Sequence, residues 1–155
     1  MKIAILGAGS MGSLYASFLY KHHDVLLIDS YAPQVEAVRA SGVTVTELDN
    51  SIRNCPVDIC MSGEAKESCE LLIVFVKNPA TDAALDQNRA LIGENTLILS
   101  LQNGLGNDKI LKKYVAPERI LLGTSKHNCT LTEPGCIKQA FRRRRHQHRF
   151  PLRSA

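Results

Sequence analysis

Long apolar runs, secretion signals and paired cysteines are all missing from the 155-residue sequence. No run is long enough to cross a bilayer, and the N-terminus lacks the charged and apolar pattern of a secretion signal. The five cysteines form no C-x-x-C pair, and Cys129, Cys136 and His127 match no standard zinc spacing, so reduced thiols and no metal are predicted. We therefore expect a soluble, cytoplasmic protein with no membrane partner and one core-bearing domain.

Acidic residues are also missing from the C-terminal end. After Glu133 there is none, whereas Lys138 and six arginines lie there; removing these seven leaves 12 basic against 15 acidic residues, a net charge of −3 in place of +4. The arginines belong to residues 141–155, which have neither an apolar period nor acidic partners, and this tail is predicted to be disordered or foreign to the fold. A cloning or frameshift artefact explains so abrupt a change better than an arm for nucleic acid or another anionic surface.

Apolar stretches of strand length alternate with stretches of helical period along residues 1–140. Strands are predicted at 2–6, 25–28, 71–76, 96–99 and 120–122, and helices at 10–21, 31–40, 79–92 and 108–114. A less regular piece favours a small meander with strands at 43–46 and 57–61. Asn78 and Pro79 are predicted to begin the third helix, as cap and first helical residue. This alternation predicts an α/β, Rossmann-like doubly wound fold whose mainly parallel sheet carries helices on both faces.

The most informative motif is G-x-G-x-x-G, which stands where a predicted strand meets a predicted helix. It comprises Gly7, Ala8, Gly9, Ser10, Met11 and Gly12. Gly7 permits the tight turn, Gly9 lets a pyrophosphate approach the backbone, and Gly12 lets the helix pack closely on the strand. The helix N-terminus then offers free N–H groups and a partial positive charge to phosphates. All six residues are therefore predicted to bind a dinucleotide.

The second predicted strand ends at Asp29, 20 residues beyond Gly9. A carboxylate there can accept hydrogen bonds from the hydroxyls of the adenosine ribose, and the same charge repels a 2′-phosphate. Ser30, which follows, is neutral and offers no positive charge to that phosphate. Asp29 and Ser30 are thus predicted cofactor contacts that favour NADH over NADPH.

Two more polar residues follow apolar strands, at the sheet edge where such folds bind ligands. Lys77 comes directly after the strand at 71–76, and Asn103 lies in the loop after 96–99. A lysine can hold an anionic group or a ribose hydroxyl, and an asparagine amide can fix the nicotinamide end. On composition alone, an exposed lysine and an Asn-Gly turn explain these residues equally well.

Four stretches together resemble the ketopantoate reductase family: GAGSMG, VKNPATDAAL, LQNGLG and LLGTSKHNCTLTEPGCIK. The resemblance covers residues 1 to about 140 and implies a 2-dehydropantoate 2-reductase, in which a hydride passes from a nicotinamide to the ketone of a small 2-oxo acid. It implies that Lys77 and Asn103 contact both cofactor and substrate, and that Cys129 contacts the cofactor mainly through backbone. The family usually favours NADPH, in contrast with Asp29.

The resemblance also implies what lies outside this sequence. The family's helical second domain, which supplies the proton-donating lysine, is absent, so the chain is expected to bind dinucleotide yet to be inactive alone, with no catalytic residue of its own. Two other functions stay open: a related 2-oxo or hydroxy-acid dehydrogenase, and an NAD-sensing regulatory module, which has no need of Lys77 and LQNGLG. Self-association of the chain is a further expectation.

Overall fold

The fold was obtained as a computed structural model, which describes residues 1–104 and 106–140; the predicted tail at 141–155 lies outside them. The strands are β1 (Lys2–Leu6), β2 (Asp24–Asp29), β3 (Val43–Thr46), β4 (Ile52–Cys55), β5 (Asp58–Met61), β6 (Cys69–Val74), β7 (Ile92–Ser100), β8 (Ile120–Leu122), β9 (Cys129–Glu133) and β10 (Cys136–Gln139). The helices are α1 (Ser10–Leu19), α2 (Ala32–Ser41), α3 (Thr81–Gln87) and α4 (Asn107–Leu111), and short 3-10 turns cover Asn78–Ala80, Arg89–Leu91 and Pro117–Arg119.

Six strands form an all-parallel sheet in the order β5-β2-β1-β6-β7-β8. Successive residues of β1 face opposite sides of it, because side chains alternate along a strand. Ile3 and Ile5 enter a core with α1 and α2, whereas Ala4 and Leu6 enter a second core with residues of α3 and α4. Both faces are therefore covered by helices, which confirms the predicted doubly wound α/β architecture.

A second sheet of four strands, in the order β4-β3-β10-β9, covers part of the α1 side. The pair β3–β10 is parallel, whereas β3–β4 and β9–β10 are antiparallel. Val43, Val45 and Ile137 bury their side chains in the core that contains α1 and α2. The last described strand, β10, thus packs on the same core as α1, the helix that follows the glycine motif.

The structure corrects three predictions. The strand near 57–61 is β5, an edge of the main sheet and not part of a meander; β3 pairs with β4 instead. The single helix predicted at 79–92 is a 3-10 turn, α3 and a second 3-10 turn. Asn78 does not cap α3, which begins after Ala80 without a side-chain cap.

The break after α3 has a local cause. The side-chain Nδ2 atom of Asn88 donates to the Ala84 carbonyl at 2.8 Å and to the Ser62 hydroxyl at 2.7 Å. The side-chain Oδ1 atom accepts from the Gly63 N–H at 2.9 Å. These bonds satisfy helix-end groups through a side chain and tie the end of α3 to the loop after β5. Of the described helices, none has the length and apolar character that a bilayer span requires.

Candidate functional site

The loops that follow β1, β2, β6 and β7 meet at the carboxyl edge of the parallel sheet. Two cavities open there and share Val76 as a lining residue. The smaller, about 190 Å³, is lined by Gly7, Asp29 and Ser30 among others. The larger, about 310 Å³, is lined by Met11, Lys77 and Asn103 among others. In open parallel sheets this edge is where ligands bind.

Two glycines of the motif have geometries that a side chain would disturb. Gly7 has φ of 104°, and a Cβ atom there would lie 2.9 Å from the Val76 nitrogen. A Cβ on Gly12 would overlap the carbonyl oxygen of Gly7 and lie 3.0 Å from its carbonyl carbon. The tight turn at Gly7 and the close approach of α1 to the turn and to β1 are therefore as predicted.

The third glycine of the motif faces open space. Gly9 is exposed, and a Cβ atom placed on it would meet no atom within 4 Å. It is the N-cap of α1, which has no side-chain cap and no acidic residue in its first turn. The first N–H groups of a helix have no partner within the helix, so the start of α1 presents free donors and a partial positive charge beside the sheet edge.

Asp29 makes two backbone contacts. Its Oδ2 atom accepts a hydrogen bond from the Ala8 N–H at 2.6 Å, and its Oδ1 atom accepts one from the Tyr31 N–H at 2.9 Å. The side chain is half-buried and lines the smaller cavity. An ionised carboxylate has about four acceptor positions, so two remain for hydroxyl groups of a ligand. Asp29 therefore fixes the glycine turn as well as marking the cavity with a negative charge.

The larger cavity has the opposite charge. Lys77 is exposed at its margin, Asn103 contributes an exposed amide, and none of its described lining residues is acidic. Met11 and Phe75 add apolar wall. The two cavities therefore differ in chemistry: the carboxylate side suits hydroxyl donors, whereas the lysine side suits an anion next to an apolar ring.

Gln102 links the loops that carry Lys77 and Asn103. Its Nε2 atom donates to the Val76 carbonyl at 2.5 Å and to the Thr81 hydroxyl at 2.8 Å, and its Oε1 atom accepts from Ser100 at 2.9 Å. Thr81 and Ser100 are buried, so these bonds are shielded from water. Nothing in the sequence distinguishes Gln102 from the other polar residues of LQNGLG.

The segment before β9 also reaches the larger cavity. Ser125 and His127 line it, and the His127 ring packs against Phe18 at a centroid distance of 5.3 Å and against Tyr15 at 6.0 Å. Sequence reasoning assigned neither residue a role here, because no strand was predicted at 129–133 to position them.

The remaining predicted residues lie around the cavities. None of them is among the described lining residues: Ala8 and Gly9 belong to the turn after β1, Ser10 and Gly12 lie in the first turn of α1, and Cys129 begins β9. Its side chain packs against the core that contains α1, and burial raises the pKa of the Cys129 thiol to about 11. The thiol is thus protonated at neutral pH, and only the backbone of Cys129 remains a predicted cofactor contact.

An all-parallel sheet in this strand order, with a glycine turn between β1 and α1 and an acidic residue ending β2, defines the Rossmann class of domains. Within that class, the chain belongs to the ketopantoate reductase PanE/ApbA family, whose model matches residues 3–147.

Curated relatives of the chain are named 2-dehydropantoate 2-reductase. The chain is 32% identical over 140 residues to the 2-dehydropantoate 2-reductase of Lactococcus lactis, covering 89% of this chain and 45% of that protein. It is 31% identical over 143 residues to the one from Halobacterium salinarum, covering 90% of this chain and 46% of the relative. The chain thus spans about half the length of the curated relatives it matches.

Solved structures give the same fold. A ternary structure of D-mandelate dehydrogenase with NADH and anilino(oxo)acetate matches with a TM-score of 0.87 and 32% identity, over 91% of this chain and 46% of that one. The 2-dehydropantoate 2-reductase of Geobacter metallireducens matches with a TM-score of 0.82 and 30% identity, over 92% and 47% of the respective chains.

Proposed function

We propose that this chain binds a nicotinamide dinucleotide along the carboxyl edge of its main sheet and forms the nucleotide half of a 2-oxo acid reductase, with 2-dehydropantoate as substrate and pantoate as product. One observation carries the proposal. The free helix N-terminus at Gly9 belongs to a motif whose Gly7 lines the cavity with the Asp29 carboxylate and whose Met11 lines the cavity with Lys77 and Asn103. That order of negative, phosphate-binding and positive positions matches the order of ribose, diphosphate and nicotinamide in the cofactor, followed by an anionic substrate.

Each residue has a separate task in this arrangement. Asp29 accepts hydrogen bonds from the adenosine ribose, the start of α1 donates N–H groups to the diphosphate, and Asn103 holds the nicotinamide end. When bound, the cofactor supplies the hydride that reduces the ketone. Lys77 attracts the carboxylate of the 2-oxo acid and keeps it beside the apolar wall of Met11 and Phe75.

We propose NADH as the preferred cofactor. A 2′-phosphate at the ribose would face the Asp29 carboxylate, and Ser30 beside it carries no compensating charge. Two like charges about 4 Å apart repel by about 1 kcal/mol in bulk water and by more when partly buried, so a preference for NADH of about fivefold to tenfold is expected. The likeness to a D-mandelate dehydrogenase structure that contains NADH supports this choice.

The same likeness supports a second candidate, a reductase of a 2-oxo acid with an aromatic substituent. Met11, Phe75 and His127 give the larger cavity a wall that suits an aromatic ring as well as a branched aliphatic chain. Both candidates share the cofactor site and the role of Lys77, and they differ only in the acid that is reduced.

Titration of the 155-residue chain with NADH and with NADPH, followed by calorimetry, tests the cofactor proposal. NADH should bind about fivefold to tenfold more tightly. Asp29→Asn should weaken NADH more than NADPH, because the substitution removes the charge that favours NADH, while the loss of one of the two backbone hydrogen bonds affects both cofactors alike. Asp24→Asn, at the exposed start of the same strand, is the matched control. Failure to bind either dinucleotide at millimolar concentration would contradict the proposal.

The substrate half is tested by adding 2-dehydropantoate or phenylglyoxylate to the NADH-loaded chain and recording the fluorescence of NADH. The preferred acid should perturb the signal, and Lys77→Gln should abolish the response, whereas Lys66→Gln at another exposed position should not. No NADH oxidation is expected from this chain alone, because the family resemblance assigns the proton donor to residues outside it. No response to either acid would contradict the proposed substrate class.

A further inference from the structure

A buried glutamine joins the glycine turn to the far end of the described chain. Gln34, on α2, is 2% exposed. Its Nε2 atom donates to the Ala8 carbonyl at 2.8 Å, and its Oε1 atom accepts from the Gly135 N–H at 2.9 Å. Gly135 lies in the turn between β9 and β10, 101 residues away in sequence. Both ends of the buried amide are therefore satisfied, one of them inside the G-x-G-x-x-G motif.

The Ala8 carbonyl receives a second donor. The Ser13 hydroxyl, which is fully buried on α1, donates to the same oxygen at 2.8 Å. On the other side of Ala8, its N–H is held by Asp29 at 2.6 Å. The two peptide groups that flank Ala8 are thus each fixed by side chains from other elements.

Fixing that carbonyl also fixes the next N–H group. The Ala8–Gly9 peptide bond is trans, so the carbonyl of Ala8 and the N–H of Gly9 point in opposite directions. Because Gln34 and Ser13 hold the carbonyl toward the protein interior, the Gly9 N–H is directed outward, where Gly9 faces open space at the start of α1.

We propose that Gln34, together with Ser13, is a positioning residue that orients the Gly9 N–H toward the diphosphate of the bound dinucleotide. This inference rests on the proposed function, and it adds a residue that neither the motif nor the cavity lining contains. Glutamine suits the task because one end of its amide donates and the other accepts. A methionine of similar length would fill the space but leave the Gly135 N–H unpaired and the Ala8 carbonyl with Ser13 alone.

The test compares Gln34→Met and Ser13→Ala with Ser17→Ala. Ser17 is a buried serine on the same helix whose hydroxyl donates to the Leu14 carbonyl, away from the turn. The dissociation constant of NADH should rise about tenfold in Gln34→Met and about threefold in Ser13→Ala, the loss expected for a misdirected hydrogen bond to a charged group, and stay unchanged in the control. Melting temperatures identify the folded variants.

A second readout separates orientation from general stability. In ¹H–¹⁵N spectra of the full chain, NADH should move the Gly9 amide resonance strongly, since the N–H acquires an anionic acceptor. That movement should be much smaller in folded Gln34→Met and Ser13→Ala, and of wild-type size in Ser17→Ala.

The outcomes are distinguishable from those of the proposed function. Wild-type chain that binds neither dinucleotide refutes the proposed function and this inference with it. Wild-type binding with an unchanged dissociation constant and an unchanged Gly9 shift in Gln34→Met overturns the positioning role alone. If Gln34→Met does not fold, Ser13→Ala decides: wild-type affinity and a wild-type Gly9 shift in that variant overturn the proposal.

Discussion

Replacement by alanine should have different effects at Gly12 and at Gly9 of the same motif. Gly12→Ala places a Cβ atom in overlap with the carbonyl oxygen of Gly7 and at 3.0 Å from the carbonyl carbon. Gly9→Ala places its Cβ where no atom lies within 4 Å, at φ of −67°, which any residue adopts. The first change should damage the fold, and the second should damage only ligand binding.

The magnitude for Gly12→Ala follows from the atoms that must move. Both are backbone atoms of the turn, so relief requires α1 to shift by about 1 Å or more from β1. Leu14 and Ala16 are fully buried on that helix, so the shift disturbs the core as well. Overpacking of this kind costs about 3 kcal/mol, or a melting temperature lower by about 10 °C in a domain of this size.

For Gly9→Ala two small terms oppose each other. Alanine reduces the freedom of the unfolded chain, which stabilises by about 0.5 kcal/mol, while alanine is a poorer N-cap than glycine by a similar amount. The melting temperature should therefore stay within about 2 °C of wild type. Affinity for NADH should fall about tenfold or more, because the methyl group occupies space that the diphosphate needs.

Circular dichroism melts and NADH titrations of both variants check this pair. A wild-type melting temperature for Gly12→Ala would refute the packing argument. A Gly9→Ala variant that melts as low as Gly12→Ala, or that binds NADH like wild type, would refute the assignment of open space at Gly9 to the ligand.

Two further predictions concern the loops around the larger cavity. Gln102→Leu removes the two hydrogen bonds from Gln102 to Val76 and Thr81 and leaves the buried Thr81 hydroxyl without that partner. The melting temperature should therefore fall by about 5 °C, and the affinity for NADH should drop. An unchanged affinity in the folded variant would show that the loop with Lys77 does not need Gln102. Hydrogen bonds from Lys113 and Tyr114 hold the pKa of the Asp82 carboxyl below its ordinary value of 3.8, so its stabilising effect is complete above that value and is lost as the pH falls through the lowered pKa. Asp82→Asn should therefore melt below wild type at pH 7, and the two melting temperatures should converge as the pH falls below 3.8 and through the lowered pKa; a difference that stays constant with pH would contradict the linkage.

The main sheet could be predicted because its strands are buried on both faces. Continuous apolar runs such as 71–76 have few other interpretations, and a glycine turn between strand and helix fixes the chain direction. The strands at the edges of the two sheets were harder to predict. β5 is four residues long, and all residues of β9 except Cys129 are exposed, so neither carries a strong periodic signal. The place of β5 depends on its pairing with β2, and the place of β9 depends on β10, which pairs with β3 far away in sequence.

The residues that support the site could not be predicted from the sequence for a related reason. A polar residue such as Gln34 on a short helix is normally solvated, and nothing near it in sequence reveals that Ala8 and Gly135 will enclose its amide. Gln102 was likewise one polar residue among several in its loop. Residues that bind a ligand directly follow motif spacing, whereas residues that hold them depend on tertiary contacts.

Asp29 belongs to both groups, and this changes how its variants must be interpreted. Its carboxylate holds the Ala8 N–H in addition to lining the smaller cavity. Asp29→Ala would release the glycine turn and weaken NADH and NADPH together, so an equal loss in that variant reports on the turn and not on the ribose. Asp29→Asn keeps one oxygen that can accept from Ala8, but its NH2 group cannot accept from the Tyr31 N–H, so it removes the charge and one backbone hydrogen bond. Selectivity between the two cofactors is therefore measured by the asparagine variant, and the additional loss in the alanine variant measures how far the turn depends on Asp29.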